Sequence, residues 1–320
     1  TVNMAIEYLD LTDNQIKVIN ISRENIAQRN EADFARFKEF VRSLATKSSK
    51  GRDYNFVVGL TGLIERSIKL EFDRQAVFQR QKEAIQIYND QSLGDWKLQT
   101  VSAEGLHGTT ILMGKAPGIT AKKLWEKDQR LYKDLLSRLY VFEHKRIFRS
   151  LQEGQMRLAN PDLHDGQVLI DEKSKTITVI DFGQALPISN KQVDMSLEIV
   201  SIVSGVKSNS ASLSFLNDWI KAQGSNLSLS QNELQNLLNH EDSMDRFIRL
   251  ISLMNLKKAE LPLESIQMVL QINRLVKLGE KTGRYPKLSI GFRLVGRELF
   301  SMLLRPRTIF APSCEAVFRR

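Results

Sequence analysis

One cysteine, Cys314, occurs in 320 residues, which excludes an intrachain disulfide and any zinc site built on paired thiolates. That scarcity suits a reducing compartment such as the cytoplasm. Long apolar runs are missing too. None reaches the ~18 residues of a spanning helix, and the stretch Leu197 to Val206 is interrupted by Glu198, Ser201, Ser204 and Gly205. The chain is therefore expected to be soluble, with any membrane contact peripheral. Only four histidines are present, and His107, His144 and His240 show no metal-ligand spacing, so they read as surface or structural groups. No internal repeat and no low-complexity stretch occurs. Thr1 falls inside an expected strand, and targeting is not legible from it.

What is present is an ordinary globular composition, 42% hydrophobic and 26% charged. The length suits one two-lobed unit or two small domains. The net charge of +9 is unevenly spread: residues 271–320 hold eleven Lys/Arg against three Glu, a local charge of +8. Such a tail favours phosphate-bearing or anionic-lipid partners, set against the plainer reading of a solvated helix face. A nucleic-acid partner is disfavoured, because no recognition motif, stacking platform or zinc ligand set accompanies the charge.

Hydrophobic periodicity predicts a hairpin from Ala5–Leu9 and Ile16–Ile21 and a helix over residues 25–45. A second helix follows over 57–90, then strands near 96–103 and 109–113. Beyond Pro117-Gly118 the pattern turns largely helical, with helices near 120–134 and 135–154. A loop at 159–166 leads into two short strands, 168–171 and 176–181, and most of the chain after Gln192 reads as helix. The expected fold class is α+β: a small β-rich N-lobe with inserted helices (1–117) and a larger helical C-lobe (118–320).

The informative segment runs Pro161-Asp162-Leu163-His164-Asp165-Gly166-Gln167 and, after a strand-turn-strand stretch, Asp181-Phe182-Gly183. Phosphoryl transfer needs a carboxylate that positions the acceptor hydroxyl, an amide oxygen for Mg²⁺ five residues on, and a second carboxylate on the metal that bridges the nucleotide phosphates. Asp162, Gln167 and Asp181 have that order and spacing. They are the candidate catalytic residue and metal ligands, with ATP and Mg²⁺ as expected cofactors.

These residues resemble the catalytic loops of aminoglycoside-phosphotransferase-like kinases and of the ABC1 (UbiB-like) atypical kinases, both within the protein-kinase-like superfamily. The remaining chain is closer to the second group. Leu63–Ala76 looks like its helix with an Arg-Glu-Ala step, and Ile111–Gly118 looks like its hinge strand. Arg23–Phe34 and Thr282–Pro306 resemble further helices of that family. The resemblance implies that Met113, Gly114, Lys115 and Ala116 meet adenine through their backbone, and that His164 braces the catalytic loop. It implies ATP-dependent kinase or ATPase activity linked to quinone or lipid metabolism, with a protein or small-molecule acceptor that the residues do not identify.

The departures are specific. The best register puts Asn20 where the family has a phosphate-binding lysine and Gln75 where it has the glutamate holding that lysine, so both halves of the ion pair become neutral amides. Lys17 is a candidate replacement, although strand alternation aims it at the opposite face. Gln167 replaces an asparagine. The family's Gly-Gln nucleotide loop is not matched at Asn3-Met4, and its Lys-x-Gly-Gln extension is not in these 320 residues. Two readings therefore stand: an ATP-using enzyme, expected to be activated by a polyanion or membrane at the basic tail, and a pseudokinase acting as a regulatory or scaffolding module.

Overall fold

The structure, a computed structural model, describes residues 3–10, 15–22, 26–47, 51–149, 151–152 and 155–283. Two strands, β1 (Asn3–Asp10) and β2 (Gln15–Ser22), precede α1 (Ile26–Lys47), α2 (Gly51–Phe72) and α3 (Arg74–Tyr88). There follow β3 (Gln91–Leu93), β4 (Trp96–Thr100), β5 (Ala103–His107), β6 (Thr110–Gly114) and β7 (Ile119–Thr120). Next come α4 (Ala121–Lys127), α5 (Gln129–Phe148), β8 (Arg157–Ala159), β9 (Val168–Asp171), β10 (Thr176–Val179) and β11 (Leu186–Ile188). Five helices end the described chain: α6 (Asn190–Val203), α7 (Asn209–Ala222), α8 (Gln231–Leu238), α9 (Ser243–Leu256) and α10 (Leu263–Lys281). The class is α+β, as expected, with the sheets in the first part and helices dominating the rest.

The described residues of Thr1–Val193 and Pro262–Arg284 form one compact unit, and those of Asp194–Leu261 a second. The lobe boundary expected at 117/118 lies inside the first unit. There β4, before it in sequence, pairs in parallel with β10, after it, Lys97 opposite Thr176 through Thr100 opposite Val179.

In the first unit an antiparallel sheet has the order β1-β2-β6-β5, and a five-stranded sheet the order β3-β4-β10-β9-β7. Every residue of β10 is buried, as a central strand flanked on both sides requires. Its core joins Leu98, Leu135, Leu139, Ile170, Ile177 and Phe182, each burial contributing about 1.5–3 kcal/mol. Gly118, at φ +93, permits the chain to cross β9 closely: a Cβ there would sit 2.2 Å from the Ile170 carbonyl oxygen.

Two expected helix limits are corrected by capping aspartates. The single helix expected over 57–90 is two, because the Asp73 carboxylate accepts the Ala76 N–H at 2.9 Å and starts α3 afresh. The division expected at 134/135 falls instead at Asp128, which caps α5 through the Leu131 N–H at 2.9 Å. Periodicity alone runs through such a break, since apolar residues recur at helical spacing on both sides of it. The first correction matters for the site: a new first turn leaves Arg74 buried and Gln75 exposed.

The second unit is helical. Its α7, α8 and α9 pack in sequence, with Leu216, Ile220, Leu234, Leu237, Phe247, Leu250 and Met254 buried. Ser230 and Glu233 form a capping box at the start of α8, and Asp242 caps α9. Among the described residues no helix is long and apolar enough to cross a membrane.

Candidate active site

The antiparallel hairpin of β9 and β10 brings the ends of the informative segment together. Val168 lies opposite Val179, and the Ile180 N–H donates to the Gln167 carbonyl at 2.9 Å. The catalytic loop thus enters the hairpin beside the point where Asp181 leaves it. Asn160, 1% exposed, ties the two: its Oδ1 accepts the Asp162 N–H at 3.1 Å and its Nδ2 donates to the Asp181 carbonyl at 3.1 Å.

The side chains converge on one point. Gln167 Nε2 donates to Asp162 Oδ2 at 2.8 Å and lies 3.4 Å from Asp181 Oδ2. Gln167 is buried, and its Oε1 has no hydrogen-bond partner. Two carboxylates beside an orphaned amide oxygen make an all-oxygen donor set of the kind hard divalent cations take. Among the described residues no three His, Cys, Asp or Glu are grouped so that they could hold a metal ion.

Asp181 sits at φ 66, a left-handed conformation that costs most residues energy and that aspartate tolerates better than most. Its Oδ1 accepts the Gly183 N–H at 3.1 Å. A Cβ at Gly183 would lie 3.3 Å from Glu71 Cγ and from Asp181 Oδ1, a tight approach. Arg80 donates to the Gly183 and Leu70 carbonyls, pinning the Asp-Phe-Gly turn to the end of α2. Phe182 is buried against Tyr88, ring centroids 5.4 Å apart.

The candidate residues fare unevenly. His164 Nδ1 accepts the Gly166 N–H at 3.0 Å and its carbonyl accepts the Gln167 N–H at 2.8 Å, so it braces the loop. Asn20 reaches the site region through Arg74 Nη2, whose hydrogen bonds to its Oδ1 and carbonyl measure 2.7 and 2.9 Å. Gln75, the expected partner of Asn20, is exposed instead; the helix restart at Asp73 turns Arg74 inward in its place. Lys17 does not substitute for a lysine at Asn20, because it pairs with Asp10 at 2.8 Å and Glu104 at 2.9 Å. The β2–β6 ladder carries Met113 and ends at Gly114, whose N–H is engaged by Ser102. Lys115 and Ala116 continue beyond the sheet, Lys115 pairing with Glu7 at 2.7 Å. Of the other histidines, His144 lies between the Tyr140 and Phe148 rings and His240 pairs with Asp245.

Three groups were not singled out from sequence. Glu71, at the end of α2, accepts from Gln184 Nε2 at 2.9 Å. Arg74 is buried beside Asn20. Arg274 on α10 donates to the Pro161 carbonyl at 3.3 Å and comes within 3.8 Å of Asp162. Beside it a cavity of about 80 Å³ opens between α10 and the loop, lined by Leu163, His164, Asp165, Lys277 and Lys281 among others. The capping signal at Asp73 could have found Arg74; nothing local marks the other two.

Burial raises the pKa of Glu71, helped by the charges of Asp181 and Asp162, and burial likewise raises that of Asp181 despite the Gly183 hydrogen bond. Acids raised above their ordinary values of 4.5 and 3.8 hold protons in the folded chain that the unfolded chain has released. Stability from this source is therefore complete below those values and is lost as pH rises from them through the raised folded ones. Asp181→Asn, which keeps the Gly183 acceptor, is expected to melt a few degrees above the wild type at pH 7, with the gap closing toward about pH 4. Thermal melts at four pH values check it; a gap independent of pH would show that charge burial is not the cause.

No protein-family model matches the chain, and no curated protein matches it. Among solved structures it is similar to the complex of Rv3197 with erythromycin from Mycobacterium tuberculosis, at 13% identity over 92% of this chain and 75% of that one, with a TM-score of 0.49.

Proposed function

We propose that this chain is a protein-kinase-like ATP-binding protein, a phosphotransferase or ATPase of the ABC1 (UbiB-like) type. The observation that carries this reading is the meeting of Asp162, Gln167 and Asp181 across a loop, strand, turn, strand and Asp-Phe-Gly frame. Asp181 and Gln167 would hold Mg²⁺, which supplies charge neutralisation at the transferring phosphate. Asp162 would position the acceptor hydroxyl or water and accept its proton, with Asn160 and Arg274 orienting its loop. The backbone of residues 113–116 would receive adenine.

Calorimetric titration with ATP and Mg²⁺, followed by phosphate release, tests the reading. Asp162→Asn is expected to leave nucleotide affinity within about threefold and to lower turnover by at least ~10²-fold, because a carboxylate aimed at the acceptor acts on the chemical step. Equal loss of binding in Asp162→Asn and Asp181→Ala would end that division of roles.

The pseudokinase reading is favoured by one observation: Lys17, the lysine nearest the expected position, is committed to Asp10 and Glu104. Nucleotide binding without measurable turnover would select it. A polyanion or anionic lipid remains the proposed partner of the basic tail, but Arg284, Lys287, Arg293 and Arg297 lie outside the described residues.

A further inference from the structure

We propose that Arg74 is the phosphate-binding cation of this site, held in place by Asn20, in the absence of a lysine at the Asn20 position. The inference rests on the nucleotide reading above and names the group that would grip the phosphates. A guanidinium carries five N–H donors. In Arg74, Nε donates to the Thr109 carbonyl at 3.1 Å, and Nη2 donates to the Asn20 carbonyl at 2.9 Å and to Asn20 Oδ1 at 2.7 Å. Both donors of Nη1 are buried without an acceptor, in a residue that is 5% exposed.

Such an atom is costly to leave unmatched, because the guanidinium gives up water on that side and receives nothing in return. No carboxylate of the described residues comes within ion-pair distance of Arg74, although Glu71 and Asp181 are near enough for their charges to act on it. The three satisfied donors fix the guanidinium plane and leave the two donors of Nη1, a single-nitrogen contact, for a phosphate oxygen. Glu71, three residues before Arg74, stands against Gly183, so a phosphate bound with a cation at Asp181 would enter the neighbourhood of the Arg74 guanidinium. The strand thus contributes a neutral amide, and the cation is the arginine that precedes the glutamate position, Gln75, in the helix step.

The competing role is a strut that only fastens α3 to β2 and to the chain at Thr109. Titrations of the full chain with MgATP, MgADP, adenosine and magnesium pyrophosphate separate the two. Arg74→Met is expected to weaken MgATP and MgADP tenfold or more while adenosine stays within twofold, and Arg74→Lys to recover part of the loss. Asn20→Ala, which removes one of the three holds, should fall between them. Equal weakening of adenosine and ATP, or unchanged ATP affinity, would overturn the proposal. If Arg74→Met fails to fold by circular dichroism, Arg74→Lys and Asn20→Ala decide by the same ratio. Wild type that binds pyrophosphate through Arg74 but no nucleotide would sink the nucleotide reading and keep the phosphate site; binding of neither would sink both.

Discussion

Asp181→Ala is expected to abolish Mg²⁺-dependent nucleotide binding while the far-ultraviolet circular dichroism stays that of the wild type. Gln167 offers only a neutral oxygen, and Asp162 is already shared with the Gln167 amide and faces Arg274. Removing Asp181 therefore takes away the carboxylate less tightly engaged by Gln167, at 3.4 Å against 2.8 Å for Asp162. The substitution has a second effect, because residue 181 stands at φ 66 and alanine tolerates that conformation poorly, at a cost of about 1–2 kcal/mol. Asp181→Gly separates the two: it lacks the carboxylate but adopts positive φ without strain. Both variants should fail to bind MgATP in calorimetry, and the glycine variant should withstand more urea than the alanine variant. Unchanged affinity in a folded Asp181→Ala would remove the metal assignment.

The second large effect concerns stability. Glu143, fully buried on α5, accepts from Tyr88 Oη at 2.5 Å and from Arg146 Nη2 at 2.5 Å, with Gln271 Nε2 at 3.4 Å. Arg146 also lies over the Tyr88 ring, 5.5 Å from its centroid, and Tyr88 packs on Phe182 of the Asp-Phe-Gly turn. Glu143→Ala leaves the arginine charge without its counter-ion and strips the acceptor from a buried phenol. The expected loss is about 3–5 kcal/mol in denaturant unfolding, the range for breaking a buried ion pair from one side. Glu143→Gln, which retains an acceptor, should lose less. A loss below about 1 kcal/mol for the alanine variant would mean that water enters and solvates Arg146. Because the network underlies Phe182, a folded Glu143→Gln is the better background for asking whether core packing affects nucleotide affinity.

That Asp162, Gln167 and Asp181 meet was legible in the sequence because their spacing is local: five residues separate Asp162 from Gln167, and a short hairpin carries the chain on to Asp181. Strand alternation likewise sufficed to set Lys17 and Asn20 on opposite faces, and the structure bears this out in their different partners. Gln75 misled because a family register was followed through a helix that Asp73 interrupts. The restart rotates which side chain of the Arg74-Gln75 step faces the sheet, and one residue of rotation exchanges a buried cation for an exposed amide.

By itself, then, the sequence determined the α+β class, the order of loop and strands, and the identity of the paired aspartates, all of which follow from spacing and periodicity within a few dozen residues. Only the tertiary structure decided that Glu71 and Arg74 join that site, that Arg274 stands beside Asp162, and that Gln167 has an oxygen to spare. These are meetings of groups from 54 to 113 residues apart. They depend on where helices stop and which sheet edge they cross, quantities set by packing and capping that no local pattern of residue types records.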